Sequence, residues 1–484
     1  TRERIYDSIE LGEHRVASIV HDATAVAFGS DGYLVEVLAE RSVSGVLVVG
    51  GGVAGLAAAT RLAEAGHRPT LFEARKSLGG RAASLLDPAT GHRVDNGQHL
   101  LMGCNRSVRR LLERIGAADG VTWQPRLDLA FASASHGPVR LRLPPLPGSL
   151  AALGGLLTTR GLAWADRTGA ARALRAFLRG GPELAGQTVA HVLDRLETPP
   201  AARAHLLEPL ALATLNDRPH RALASALAAV IREAFGGGPA AAGLGLPRRD
   251  LDQLFGRPAH RFIEAHGGRV EMQQPVETIV VGDRGVEGVV LARGEARPAR
   301  AVVAAVPPWA LASLVPAEAR PEGLEGLPES PIVSATFWLD RPVIDELLVG
   351  LVGTTAQWVF NRTGLLGLQS PGQVVAVTVS AADELVPTPK ADIVETLMDD
   401  LRRLVPAARD ARLEHAVVVK ERRATVALRP GESHTRPGAR TAVAGLYLAG
   451  GWTATGLPDT LEGAARSGEG AAAALLADGL LGPP

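Results

Sequence analysis

The run Val46-Leu47-Val48-Val49 passes directly into Gly50-Gly51-Gly52-Val53-Ala54-Gly55 and then Leu56-Ala57-Ala58-Ala59, and this order restricts the fold more than any other stretch of the chain. A strand buried on both faces of a parallel sheet reads as a continuous apolar run. Glycines after it let the backbone turn sharply and approach a pyrophosphate, whose charge is met by the N–H groups that open the next helix. A second apolar stretch, residues 69–73, ends on Glu73 about twenty residues further on, where a carboxylate takes the ribose hydroxyls of a dinucleotide. The expected ligand contacts are Gly50, Gly52, Val53, Ala54 and Gly55 in the turn, with Glu73, Ala74 and Arg75 at the end of the second strand. A glycine-rich turn alone is weak evidence. Strand, turn, small-residue helix, second strand and terminal acid together leave open only which dinucleotide is bound.

At 484 residues the chain exceeds what one core ordinarily fills, so two domains are expected. Its 51 Lys and Arg balance 51 Asp and Glu, which removes the basic footprint of a nucleic-acid binder. Cys104 is the single cysteine. No intrachain disulfide and no cysteine metal cluster is therefore expected, which fits a reducing cytoplasm and a protein without metal. No apolar run reaches the roughly eighteen residues of a membrane span, and the first residues lack the basic-then-apolar layout of an export signal, so any membrane contact is expected to be peripheral. Residues 1–44 precede the glycine motif and carry mixed charges. They are expected to be an extension, with Val43-Ser44-Gly45 as the natural beginning and a hairpin formed by 24–28 and 33–38 around Gly29-Ser30-Asp31-Gly32.

After Glu73, Arg75-Lys76-Ser77-Leu78-Gly79-Gly80-Arg81 adds a second glycine pair and an arginine. The glycines admit close backbone approach and the arginine brings a permanent charge to phosphate, whereas the plainer reading is a tight turn with a solvated arginine. Val94-Asp95-Asn96-Gly97-Gln98-His99 then concentrates polar and glycine positions between apolar flanks. For Asp95 and His99, a turn cap and a satisfied core histidine stand on equal terms with catalysis. The Gly79-Gly80-Arg81 stretch resembles the amine oxidase and carotenoid-type desaturase flavoproteins, where it lines the FAD pyrophosphate and flavin. The 94–99 segment, followed by Met102-Gly103-Cys104-Asn105-Arg106 and a helix through Leu111-Leu112, narrows the resemblance to the hydroxysqualene dehydroxylases of hopanoid biosynthesis, also called squalene-associated FAD-dependent desaturases. The resemblance implies FAD as cofactor, held in part by Gly79, Gly80 and Arg81, with the segment carrying Gly97 and Gln98 passing beside the flavin ring.

The resemblance continues from Gly45 onward. It is carried by Glu208-Pro209-Leu210 through Leu215-Asn216, by Ser330-Pro331-Ile332 through Trp338-Leu339-Asp340-Arg341-Pro342, by Gln357-Trp358-Val359-Phe360, and by Lys420-Glu421-Arg422-Arg423-Ala424-Thr425. It implies an α/β fold: a Rossmann-like FAD-binding domain with a discontinuous α+β substrate domain, similar to amine oxidases and phytoene desaturases. Short strands are expected at 269–270, 276–280, 286–291 and 301–308. Val276 is the position that would present backbone groups to the adenine. Alanine- and leucine-rich residues 105–265 read as helical, and 311–430 as strands with one helix near 391–404. The expected division is 1–44 extension; 45–104, 266–310 and 431–484 FAD-binding; 105–265 and 311–430 substrate-binding.

Residues 445–458, Gly-Leu-Tyr-Leu-Ala-Gly-Gly-Trp-Thr-Ala-Thr-Gly-Leu-Pro, read as a strand ending in glycines and a polar turn entering a helix through Thr460-Leu461-Glu462-Gly463. Pro458 is expected where a first helical turn tolerates it. The helix N-terminus would aim its N–H groups at the flavin edge where negative charge accumulates on reduction. Gly450, Gly451, Trp452, Gly456, Leu457 and Pro458 are the expected contacts. The resembling family usually reads LAGDW here, its aspartate bonding the ribityl or pyrophosphate region, whereas this chain has Gly451. A charged hydrogen bond is worth roughly 1.5–3 kcal/mol, so its loss would weaken FAD about tenfold or more unless a neighbour compensates.

The resemblance further implies reductive removal of the hydroxyl of hydroxysqualene, or a related C30 isoprenoid, to give squalene. An allylic alcohol loses water once its oxygen is protonated, and reduced flavin can deliver hydride to that carbon. Asp95, His99 and Glu462 are the candidates for the acid or its relay. Two alternatives share the frame: a phytoene-type desaturase, and a prenyl-binding protein without catalysis such as the Rab GDP-dissociation inhibitors. Residues 141–162 place many leucines among glycines and prolines, with Arg140, Arg142 and Arg160 near the ends. A peripheral anchor on the inner face of the membrane and an ordinary helical hairpin both fit that pattern.

Overall fold

The computed structural model describes residues 6–11, 14–19, 25–28, 34–37 and 44–482, apart from 136, 325 and 432–435. The strand Ser44–Val49 shows why its sequence does not alternate. Val46 and Val48 pack on one face of a sheet and Leu47 and Val49 on the other, none more than 4% exposed. It pairs in parallel with Thr70–Glu73 on one side and Ala296–Ala304 on the other. Arg269–Met272 and Leu446–Leu448 continue the parallel array beyond those two neighbours. Val276–Gly282 and Gly285–Leu291 join through the first half of Ala296–Ala304 as an antiparallel meander, completing a seven-stranded sheet.

The helices Val53–Glu64 and Leu461–Ala477 lie on one face of that sheet, packed against each other through small side chains. Their approach is close enough that a Cβ on Gly468 would overlap the Ala54 carbonyl. The opposite face is covered by Leu311 and Leu314 of the short helix Pro308–Leu314.

A second seven-stranded sheet runs in the order Val139–Arg142, Asp128–Ser133, Leu348–Val352, Trp358–Asn361, Gln373–Ser380, Glu329–Leu339, Leu413–Val426. Its neighbours are antiparallel except Asp128–Ser133 beside Leu348–Val352. Ile393, Leu397, Met398 and Leu401 of the helix Lys390–Leu404 fill one face. Helices between 149 and 236 cover the other, where Leu215, Leu227 and Ile231 share a core with Trp358, Phe360 and Ala376.

Three local expectations are corrected. Residues 105–265 are not uniformly helical: Asp128–Ser133, Val139–Arg142 and Leu244–Pro247 are strands. Val139 and Leu141 are buried while Arg140 and Arg142 between them are exposed, a period-two signal hidden among leucines and prolines. The C-terminal helix begins at Leu461, where the Thr460 hydroxyl accepts the Gly463 N–H at 3.1 Å. Pro458 therefore precedes the cap rather than occupying the first turn. Residues 141–162 form the end of one strand and a short helix, Ser149–Leu157. The expected N-terminal hairpin is present as Ala25–Phe28 paired with Leu34–Val37. Among the described residues no helix is long and apolar enough to cross a membrane.

Candidate active site

A cavity of about 710 Å³ is lined by residues of both sheets. One end is the strand–turn–helix of residues 46–56. Gly50 turns with φ +104°, and a Cβ there would meet the Ala305 carbonyl oxygen at 2.5 Å. Gly52 is less confined: a Cβ there would make one ordinary contact, with Gly80 Cα at 3.9 Å. The Gly79 N–H donates to the Gly51 carbonyl at 2.8 Å, so the two glycine motifs close on each other and leave a groove between backbones. No side chain caps the helix Val53–Glu64, which leaves its first N–H groups for an anion.

Glu73 is 8% exposed at the end of its strand. Its carboxylate accepts the Gly51 and Arg75 N–H groups, each at 2.8 Å. Arg81 donates to Asp459 Oδ2 at 2.7 Å and to the Ala424 carbonyl at 2.6 Å. A cavity-facing Gly52, an uncapped helix start, a buried acid and a fixed arginine match the pyrophosphate and ribose of a dinucleotide, so these residues fit FAD.

The structure brings most of the expected contacts to this one wall: Gly50, Gly52, Val53, Ala54, Glu73, Ala74, Arg75, Gly79, Gly80, Arg81, Gly97, Gln98, Val276, Gly450, Gly451, Trp452, Leu457 and Pro458. Gly55 and Gly456 do not line it. Gly55 lies beneath the turn, where a Cβ would run into the Gly50 carbonyl. Trp452 is fully buried and its indole N–H donates to the Val306 carbonyl at 2.9 Å.

The three acid candidates separate. Asp95 is off the cavity wall: Oδ2 pairs with Arg362 at 2.7 Å, and Oδ1 accepts from the Ser84 hydroxyl and the Leu251 N–H. Arg362, itself 1% exposed, also donates to the Gln98 side chain and the Arg93 carbonyl, so this pair shapes the 93–98 segment from behind. Glu462 reaches the wall, but its carboxylate accepts the Ser107 and Val108 N–H groups at 3.0–3.1 Å. It thereby caps the helix Arg106–Arg114, and Arg466 is its ion-pair partner. His99 faces the cavity with Nδ1 2.8 Å from the Gly97 carbonyl, leaving Nε2 as the ring nitrogen not engaged by Gly97. Burial holds this imidazole below its ordinary pKa, and Arg81 adds to the effect against the pull of the Gly97 carbonyl and Asp95.

Motif reading missed Asp459 and Glu421, which stand on the wall, and Arg362 behind it. Asp459 adjoins the C-terminal motif, and Glu421 lies within a family-resembling stretch. Arg362 carries no local signal, because its partner is 267 residues away. The second sheet contributes Ile332, Trp358, Phe360 and Thr378 to the cavity lining, which also includes Met102, Val230, Thr214 and Asn216. The Thr378 hydroxyl there is buried without a partner. Among the described residues no group of His, Cys, Asp or Glu is arranged to hold a metal ion.

A parallel nucleotide sheet, a glycine cradle beside a buried acid, and an apolar chamber opening from it define the class of flavin-dependent oxidoreductases. The chain belongs to the flavin-containing amine oxidoreductase family, whose profile it matches over residues 53–476, and within it to the hydroxysqualene dehydroxylases. It is 33% identical to the hydroxysqualene dehydroxylase of Rhodopseudomonas palustris, over 90% of this chain and 99% of that protein. The corresponding figures for that of Sinorhizobium fredii are 31%, 88% and 97%. The fold is similar to an oxidoreductase from Methanosarcina mazei, with TM-score 0.68 at 18% identity, covering 88% of this chain and 98% of the other. The protein is an enzyme and its cofactor is FAD.

Proposed function

We propose that this enzyme reductively dehydroxylates hydroxysqualene to squalene in hopanoid and squalene biosynthesis. The observation that carries the reading is one cavity joining the FAD cradle to an apolar chamber, in a chain that aligns with nearly all of a hydroxysqualene dehydroxylase. Bound and reduced, FAD supplies the hydride; with one proton, the alcohol becomes hydrocarbon and water. The protein must then hold the cofactor, hold a long apolar chain, exclude water and deliver that proton.

Glu73 is assigned to the ribose hydroxyls. Gly50, Gly52, Val53 and Ala54 are assigned to the pyrophosphate with Gly79, Gly80 and Arg81, and Val276 to the adenine side. Gly97, Gln98, Gly450, Trp452, Leu457 and Pro458 are assigned to the flavin half. Met102, Ile332, Trp358 and Phe360 supply the apolar wall that keeps water from the reacting carbon. His99 is the proposed proton relay through Nε2, while Asp95 and Glu462 hold backbone in place. The FAD-binding unit comprises 45–104, 266–310 and 431–484, the substrate unit 105–265 and 311–430, with 1–44 as an extension.

Substrate that dissolves in a bilayer favours a peripheral seat on the inner face of the membrane. Leu146, Leu150 and Trp164 are 42%, 57% and 65% exposed, in a stretch of chain that also carries the exposed Arg142 and Arg160. Co-sedimentation with phosphatidylglycerol vesicles that disappears in a Leu150→Ser/Trp164→Ser variant is the expected result. Anaerobic incubation of prereduced, FAD-loaded enzyme with hydroxysqualene tests the reaction. Flavin reoxidation with equimolar squalene is expected. Reoxidation without squalene, or none, would overturn the proposal, and desaturation of phytoene by the oxidised enzyme would replace it.

A further inference from the structure

The wall position Gly451 follows the strand Leu446–Leu448, and the space beside it is already taken. A Cβ built there would overlap Asp459 Oδ1 and lie 3.2 Å from Asp459 Cα and Cγ. Asp459 is 7% exposed and lines the same cavity. Its Oδ2 accepts from Arg81 at 2.7 Å and from the Val426 N–H at 3.0 Å, and its Oδ1 accepts more weakly from Arg81 at 3.3 Å. The carboxylate is thus charge-compensated by the arginine of the second glycine motif, and Oδ1 keeps acceptor capacity at the wall.

We infer that Asp459 is an FAD-binding residue, that it supplies from the helix entrance the acid absent at 451, and that residue 451 is glycine because Asp459 fills its place. The inference rests on the reading of this cavity as the FAD site. Two different cofactor groups would be served by the pair. Oδ1 accepts from a hydroxyl of the cofactor's polyol chain, and the same carboxylate fixes the Arg81 guanidinium so that its remaining N–H capacity faces phosphate. A carboxylate without Arg81 would repel the pyrophosphate; with it, the pair is close to neutral.

The test is the dissociation constant of FAD for deflavinated protein, read by quenching of flavin fluorescence, together with the visible spectrum of the bound flavin. Asp459→Ala should weaken FAD about tenfold to a hundredfold, the loss of one charge-assisted hydrogen bond. Gly451→Asp should weaken it comparably, because its carboxylate would overlap Asp459 and repel it. The double variant Gly451→Asp/Asp459→Ala should bind FAD within about threefold of the parent and recover its spectrum, a coupling that a purely structural role would not produce. Asp459→Asn, which keeps the shape and loses the charge, carries the same expectation if the alanine variant fails to fold. Asp459→Asn binding FAD as tightly as the parent, or a double variant no better than either single one, overturns the inference. Failure of the unaltered protein to bind FAD overturns the cofactor reading instead.

Discussion

Arg362 and Asp95 form a pair with side chains 2% and 3% exposed, where water cannot replace either partner. Removing one partner leaves the other charged and buried, at a cost of about 3–5 kcal/mol. Asp95→Asn and Arg362→Leu should each lower unfolding stability in urea by that amount, whereas a cost below about 1 kcal/mol for both would contradict a structural role. His99 gives a pH signature. Burial holds its pKa below the ordinary 6.5, so below that pH the unfolded chain takes up a proton the folded chain does not. The stability tied to neutral His99 is therefore present above about pH 6.5 and declines as pH falls below it. A His99→Gln variant should show a flatter stability profile in that window, and an unaltered profile would exclude the residue as its source.

At the level of elements, the cavity is held together by contacts between segments remote in sequence. Glu462, in the first turn of the C-terminal helix, caps the helix Arg106–Arg114, whose own Asn105 makes no side-chain cap. Glu462→Ala should cost about 1–3 kcal/mol because two buried N–H groups lose their acceptor. Glu462→Gln should recover part of that loss and retain turnover. Abolished turnover with intact stability would instead make Glu462 the proton donor. The element types followed from apolar pattern where burial was two-sided or helical. The strand Asp128–Ser133 and the edge strand Val139–Arg142 beside it escaped because their alternation spans few residues amid leucines and prolines, which favour no single period.

Across the whole molecule, the nucleotide sheet is assembled from three stretches of chain and the second sheet from two, so the residues proposed for FAD lie on segments that meet only on folding. A ligand confined to the folded state should stabilise it by about 2.7 kcal/mol at a hundred times its dissociation constant. Thermal unfolding of deflavinated protein should accordingly shift upward with FAD concentration, and a midpoint independent of added FAD would contradict FAD binding to the folded protein. NAD is the matched control, sharing the adenosine diphosphate half but lacking the flavin.

The sequence by itself determined the glycine cradle, its acid and the family, because a strand–turn–helix is fixed by residues close together in the chain whose backbone needs are local. It also exposed the missing acid at 451. What stands in that place, and whether Asp95 and Glu462 face the cavity or hold the frame, was decided only by tertiary structure. Arg81 meets Asp459 across 378 residues and Arg362 meets Asp95 across 267. The energy of such a buried charge depends on which opposite charge folding brings beside it, and local sequence order does not encode that.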